Sequence, residues 1–214
     1  MIGVLLVGPE IAGMPALQVT SELLRIGDLH GIDLTPLVGP DVTLARVVDR
    51  LDRQSYDVLL WSGHGMASRM LTSDGGASPA WLATQLARHD VQLAVLAACE
   101  SGLRPETQAL SLGFQDVLPG RGVNLVAMTQ SVADKAAVEY NVALMQALEA
   151  GASIRQAHET GLEAAALAGN AAAPQLFVAD NTMTYQTTNT DNSLLRTMSD
   201  KIDRLGEQIE RLLS

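Results

Sequence analysis

Two reactive side chains, a histidine and a cysteine, follow apolar runs in this chain and are flanked by glycines. His64 stands in the segment SGHG after the run VLLW, and Cys99 opens the segment CESG after the run LAVLAA. Each run has the length and composition of a fully buried strand. Side chains just past the carboxyl ends of neighbouring parallel strands face one ligand crevice. If these two strands are neighbours, His64 and Cys99 meet there as a general base and a nucleophile.

Ordinary structural roles compete with this interpretation. A lone cysteine is often a small buried core residue, and a histidine in a glycine turn is often structural. Cys99 is the only cysteine among the 214 residues, so neither an internal disulfide nor a site with several thiolates explains it. Its place at a strand end, where the chain becomes polar, and the matching place of His64 favour the catalytic interpretation.

The hydropathy pattern predicts short buried strands that alternate with helices. The predicted strands cover residues 2–7, 33–38, 57–61, 92–97, 124–128 and 175–178, and the predicted helices cover 16–29, 43–53, 79–88, 107–115, 132–150 and 153–168. The pair Gly75 and Gly76 is predicted to be a turn. Strands that alternate with helices form a mostly parallel sheet covered on both faces, so the predicted fold class is an α/β sandwich.

The two reactive segments resemble the His-Gly and Ala-Cys-x-Ser/Thr-Gly signatures of CHAT domains, which are bacterial members of the caspase, separase and clostripain group of cysteine peptidases. Further segments resemble this family in the same order and spacing, and they cover residues 68–71, 81–86, 123–128, 131–134 and 151–157. The resemblance extends from about residue 2 to residue 179. It implies a caspase-like three-layer sandwich, with residues 1–180 as the peptidase domain.

The chemistry of such a peptidase assigns a role to each reactive residue. Cys99 would be the nucleophile, and His64 would be the general base that later protonates the leaving amine. A free cysteine titrates near about 8.5, so a neighbouring imidazolium must favour the thiolate at neutral pH. The resemblance implies an oxyanion hole made of the backbone N–H groups of Cys99 and Gly65. No third catalytic residue is evident, and relatives often work with a dyad.

Substrate preference depends on the turn after the strand at 124–128. In arginine-cleaving relatives such as separases this turn carries an acidic residue, and the alignment places Ser131 there and matches Asp134 to a second acid. A serine cannot balance a buried guanidinium, so arginine preference is not expected. Asp134 has an alternative role at the start of the following helix, as a cap or as a partner of the helix dipole. Asp57 and Asp74 are further candidate acids.

The composition excludes several classes of function. The chain has 14 basic and 24 acidic residues, a formal net charge of −10, which repels nucleic acids and anionic membrane surfaces. The apolar runs are shorter than the ~20 residues that span a bilayer, and the first residues lack the pattern of a signal peptide. His30, His89 and His158 are scattered, so neither a metal nor a cofactor is expected. A single working thiol suits a reducing, cytoplasmic compartment.

The composition changes after residue 180. Residues 181–192 are rich in Thr and Asn and are predicted to be a linker. Residues 193–214 carry a stripe of apolar residues at alternating spacings of three and four, namely Leu195, Met198, Ile202, Leu205, Ile209 and Leu212. This pattern predicts either a short coiled coil, which would bind a second copy or a regulatory protein partner, or an amphipathic helix docked on its own domain.

Three function hypotheses remain. The leading one is a cysteine endopeptidase that cleaves protein substrates, and the resemblance implies activation by a partner or a signal in a bacterial signalling or anti-phage module. The alternative is a catalytically silent caspase-like adaptor that assembles complexes through its C-terminal helix, although such a scaffold needs neither His64 nor Cys99. The third is a nucleotide-responsive regulator that uses the crevice at the strand ends.

Overall fold

The computed structural model describes residues 1–99, 101, 112–130, 133–169 and 174–179. In these ranges the strands are β1 (Ile2–Pro9), β2 (Ile32–Gly39), β3 (Val58–Ser62), β4 (Gly65–Met66), β5 (Arg69–Thr72), β6 (Gly75–Ala77), β7 (Leu93–Ala97), β8 (Asn124–Met128) and β9 (Pro174–Phe177). The helices are α1 (Val19–Gly27), α2 (Leu44–Arg53), α3 (Pro79–Arg88), α4 (Phe114–Val117), α5 (Asp134–Glu149) and α6 (Ile154–Leu167).

Within the described ranges the central sheet has six strands, in the order β2-β1-β3-β7-β8-β9. The pairings from β2 through β8 are parallel, and β9 pairs with β8 in the antiparallel direction. Every residue of β3, β7 and β8 is buried. Strands covered on both faces are expected to be continuous apolar runs, which is why the sequence shows them clearly.

Helices cover both faces of the sheet, and a large apolar core lies on each face in the described part of the chain. One core contains side chains of α2, α3 and α4, and the other contains side chains of α1, α5 and α6. The helix starts follow the local sequence: the hydroxyl of Thr43 accepts a hydrogen bond from the backbone N–H of Arg46 before α2, and Ser78 accepts one from Trp81 before α3. The predicted three-layer α/β sandwich is therefore confirmed.

The main correction concerns Gly75 and Gly76, which form strand β6 and not the predicted turn. The turn lies two residues earlier, at residues 73 and 74, and β4, β5 and β6 form a small antiparallel sheet of their own. Gly76 has a φ of +146°, and a Cβ on it would lie 2.4 Å from the carbonyl oxygen of Met70. A strand this close to its neighbour requires glycine, a residue that sequence patterns associate with turns.

Two other predictions concern segments that the structure describes only in part or not at all. The predicted helix 107–115 lies partly outside the described residues, and from residue 112 onward the structure shows the short helix α4. The predicted linker 181–192 and the C-terminal helix 193–214 lie outside them entirely. None of the helices in the described ranges is long and apolar enough to cross a membrane.

Candidate active site

The strands that lead to His64 and Cys99 are neighbours in the sheet. β3 and β7 pair in parallel, with Ser62 opposite Ala97 as the last pair. The backbone N–H of Gly63 donates a further hydrogen bond to the carbonyl of Ala97, at 3.3 Å. His64 and Cys99 each lie two residues beyond that last pair, so both follow the carboxyl ends of neighbouring parallel strands. Adjacent strands lie about 4.8 Å apart, so both side chains start from neighbouring backbone positions.

His64 is held by the segment that follows β1. Its Nε2 lies 2.9 Å from the carbonyl oxygen of Pro15, and the side chain is half-buried. A carbonyl oxygen only accepts hydrogen bonds, so Nε2 must carry the proton and donate it. In the neutral ring Nδ1 is then unprotonated and is the nitrogen that can accept a proton. The backbone of Pro15 therefore sets both the tautomer and the orientation of the imidazole.

Gly65 packs directly on the chain next to Cys99. A Cβ on Gly65 would lie 2.9 Å from Cβ of Ala98, 3.0 Å from Sδ of Met70 and 3.2 Å from the carbonyl oxygen of Arg69. Real Cβ atoms do not approach other atoms that closely, so only glycine fits without displacement. The backbone of Gly65, after His64, consequently lies against the side chain of Ala98, the residue before Cys99.

The turn that carries Cys99 is anchored by the buried Ser101. The Ser101 hydroxyl donates a hydrogen bond to the carbonyl of Leu96, at 2.8 Å, and accepts one from the backbone N–H of Met128, at 3.1 Å. These two bonds tie the end of β7 to the end of β8. Cys99 itself is exposed. The thiol therefore stands on a fixed turn where a substrate can reach it.

A buried carboxyl group lies behind the end of β3. Glu22 of α1 is 0% exposed, and its Oε1 accepts a hydrogen bond of 2.6 Å from Nδ2 of Asn141. Burial raises the pKa of Glu22 from 4.5 to about 7, against the lowering effect of hydrogen bonds with Ser62 and Asn141, and the charge of Asp134 raises it further. Glu22 Oε2 and Asn141 Oδ1 have no hydrogen-bond donor among the described residues. A proton on the carboxyl would supply the missing donor.

The structure separates the candidate acids of the substrate pocket. Asp134 lies in the first turn of α5, and its Oδ2 accepts a hydrogen bond of 2.7 Å from the backbone N–H of Gln18. Asp57 lies just before the start of β3 and His64 follows the end of that strand, so Asp57 cannot line a pocket beside His64, and its proposal as a pocket acid was wrong. Its Oδ2 accepts a hydrogen bond of 2.8 Å from the backbone N–H of Gly3. Asp74 accepts hydrogen bonds from Thr72 and from the start of α2. Ser131 lies outside the described residues.

Within the described part of the chain, no three His, Cys, Asp or Glu side chains are grouped closely enough to hold an ion. His158 instead lies 2.6 Å, Nδ1 to hydroxyl, from the buried Tyr140, and burial lowers its pKa. His158 is thus part of the packing between α5 and α6.

A mostly parallel sheet between two helical layers, with a histidine and a cysteine after adjacent strands, is the arrangement of caspase-like cysteine peptidases. Residues 13–167 match the CHAT domain family, and the chain belongs to that family. The fold is similar to that of gingipain R, an Arg-specific cysteine proteinase, with a TM-score of 0.55 and 15% sequence identity. The similarity covers 78% of this chain but only 42% of gingipain R. A comparison with curated proteins found no match.

Sequence reasoning missed three parts of this site. The Pro15 carbonyl is a backbone group, which no residue type reveals. Ser101 belongs to the recognised cysteine segment, but its anchoring role depends on a contact with β8, which is distant in sequence. Glu22 had a visible signal, since a glutamate stands on the same helix face as Val19 and Ile26, both of them buried. An acidic residue on an apolar face indicates a buried polar contact.

Proposed function

We propose that this protein is a cysteine endopeptidase that works through Cys99 and His64. The observation that carries the proposal is the parallel pairing of β3 and β7, with Ser62 opposite Ala97. Because of this pairing, His64 and Cys99 follow equivalent positions at the carboxyl ends of adjacent strands. His64 takes the thiol proton through Nδ1, and the thiolate attacks the carbonyl carbon of a peptide bond. The imidazolium then protonates the leaving amine, and water hydrolyses the acyl-enzyme in the second half of the reaction.

The developing oxyanion needs donors that are already in place. The backbone N–H groups of Gly65 and Cys99 are the proposed pair, and the contact between Gly65 and Ala98 supports their proximity. Fixed donors of this kind lower the barrier because they do not reorganise during the reaction. The Pro15 carbonyl supports the imidazolium, since its hydrogen bond with Nε2 strengthens when the ring becomes charged.

Alkylation of the single cysteine tests the dyad without a known substrate. Because Cys99 is the only cysteine, the rate of its reaction with iodoacetamide at pH 7 can be followed by intact mass. His64→Ala should slow the alkylation, since the thiolate loses its neighbouring imidazolium. His30→Ala is the matched control, because exposed His30 precedes β2 at the opposite edge of the sheet. Equal rates in all three proteins would contradict the dyad.

Cleavage itself is tested with a proteome-derived peptide library. Wild type and His30→Ala should generate new N-termini at a basal rate, because the proposed dyad is complete without an activator, whereas Cys99→Ala and His64→Ala should generate none above a mock preparation. Library cleavage that survives Cys99→Ala would disprove the nucleophile assignment. Normal folding of wild type with no cleavage, and with alkylation insensitive to His64, would favour the silent adaptor.

The biological setting is part of the proposal. Activation by a partner or a signal, in a bacterial signalling or anti-phage module, rests on the resemblance to CHAT relatives and on the formal net charge of −10, which favours a protein partner over nucleic acid. The apolar stripe of residues 193–214 is the proposed contact for that partner or for a second copy. A cytoplasmic location suits the working thiol.

A further inference from the structure

A cleft of about 690 Å³ lies beside His64, and the proposed chemistry of the dyad leaves it unused. Its walls come from residues 8–20, from the end of β2 and from the turn after β5. The volume is within the range of about 300–1,000 Å³ that is typical of ligand pockets. The strand order places β1 and β2 on the side of β3 that faces away from β7. The cleft therefore extends the crevice past His64, in the direction opposite to Cys99.

The order of chemical steps decides which part of a substrate lies nearest this cleft. His64 has to protonate the leaving amine, so that amine must lie at the imidazole. The amine belongs to the residue that follows the cleaved bond, and its side chain is the substrate group closest to the cleft. We propose, on the basis of the peptidase function above, that the cleft binds a large apolar side chain at this position, such as that of Leu, Met or Phe.

The walls of the cleft present apolar surface. Ile11, Met14, Leu17 and Val38 line it, and Met14 is 44% exposed, so it offers a flexible surface to an occupant. The polar groups on the far wall are already engaged within the protein. The hydroxyl of Thr72 donates to Asp74 at 2.7 Å, and that of Ser73 donates to the carbonyl of Val42 at 2.7 Å.

The charge of the cleft opposes an acidic occupant. Among the described residues that line it, none is Lys or Arg, and Glu10 is the only charged residue apart from His64, whose charge in the proposed mechanism is paired with the Cys99 thiolate. A carboxylate placed there would lose water without gaining a free cationic partner. An apolar side chain gains from burial, and full burial of a leucine corresponds to about tenfold or more in affinity. The cleft therefore discriminates Leu from Asp at the residue after the cleaved bond.

Binding of a short leaving-group mimic tests the inference without turnover. In Cys99→Ala protein with labelled methionine methyl groups, Leu-Gly-Gly-amide should shift the Met14 resonance, which a Met14→Leu spectrum identifies. Asp-Gly-Gly-amide should bind at least about tenfold more weakly. Ile11→Asp should weaken binding of the leucine peptide by a similar factor. Leu24→Asp is the matched control, because Leu24 is 65% exposed on α1 and outside the cleft, and it should leave binding unchanged.

The outcomes separate this inference from the peptidase proposal. Equal binding of the two peptides, no binding of either at millimolar concentration, or loss of binding in Leu24→Asp would overturn the apolar subsite. A preference for Lys-Gly-Gly-amide that Glu10→Gln removes would also overturn it, in favour of a basic residue. Library cleavage that requires Cys99 but shows no enrichment of apolar residues after the cleaved bond would refute the subsite and leave the peptidase intact. Failure of the dyad appears separately, in the alkylation experiment.

Discussion

Replacement of Glu22 by glutamine should change how the stability of the protein depends on pH. Burial raises the pKa of Glu22 from 4.5 to about 7 in the folded protein. The folded protein therefore keeps a proton that the unfolded chain releases between these two values. The stabilisation is fully present below pH 4.5 and is lost as the pH rises through 7. The shift corresponds to about 3 kcal/mol over the whole range, of which about 2–3 kcal/mol is lost between pH 5 and pH 8.

Glutamine mimics the protonated carboxyl group, because its amide presents one acceptor and one donor towards Asn141. Glu22→Gln should therefore lack the pH-dependent loss. Urea unfolding followed by circular dichroism, at pH 5 and at pH 8, gives the free energy of unfolding of both proteins. The variant should gain about 2–3 kcal/mol relative to wild type between the two pH values.

The matched control is Glu139→Gln. Glu139 accepts hydrogen bonds of 2.7 and 2.8 Å from Arg25, which lower its pKa. The contribution of Glu139 to stability is present above its ordinary pKa and is lost only at lower pH. The free energy of unfolding of Glu139→Gln should therefore differ from that of wild type by a constant amount between pH 5 and 8. Parallel pH profiles of Glu22→Gln and wild type would refute the reasoning, since Glu22 would then titrate alike in the folded and unfolded states.

Three further predictions use variants whose effects can be separated. Gly65→Ala places a Cβ 2.9 Å from that of Ala98 and should displace the Gly65 N–H, so the rate of cleavage should fall about a hundredfold while the protein stays folded. An unchanged rate would show that Gly65 does not belong to the oxyanion hole. Gly161→Ala places a Cβ 2.7 Å from the ring of Tyr140 and should lower the free energy of unfolding by about 1–3 kcal/mol. The rate of Cys99 alkylation should not change, and a urea midpoint equal to that of wild type would contradict this packing. Deletion of residues 192–214 should leave the melting temperature unchanged and lower the number of copies per particle measured by light scattering. A destabilised domain with an unchanged assembly state would instead assign the apolar stripe to the core.

The sequence predicted the two strands of the site because their burial left an unambiguous pattern. β3 and β7 are buried throughout and almost wholly apolar, and a glycine-flanked reactive residue follows each, so the strands and their positions were visible while their pairing was a condition that the structure fulfils. The resemblance to CHAT domains was carried by the same segments, and the family match confirms it. Fold class and family were therefore predictable from local sequence alone.

The remaining parts of the site depend on contacts between distant segments. The hydrogen bond from His64 to Pro15 spans 49 residues and uses a backbone acceptor, which carries no signal in the residue type. The hydrogen bond between Asp134 and Gln18 spans 116 residues, so the choice between a substrate acid and a structural role was open in the sequence. The short strands β4 to β6 contain two to four residues each, too few to show an alternating pattern.

The order of strands has a consequence for how the site comes into being during folding. β1, β2 and β3 form one side of the sheet from the first 62 residues, and β7 and β8 then add in chain order at the free edge of β3. Domains begin to fold from the N-terminal side during synthesis. A partly synthesised chain can thus pair its first three strands and bring Pro15 and His64 together before β7 is available, whereas α5 and α6 cover one face of these strands only later. Cys99, the proposed nucleophile, joins only when β7 docks, so the candidate dyad is the last-formed part of a sheet whose histidine side is built first.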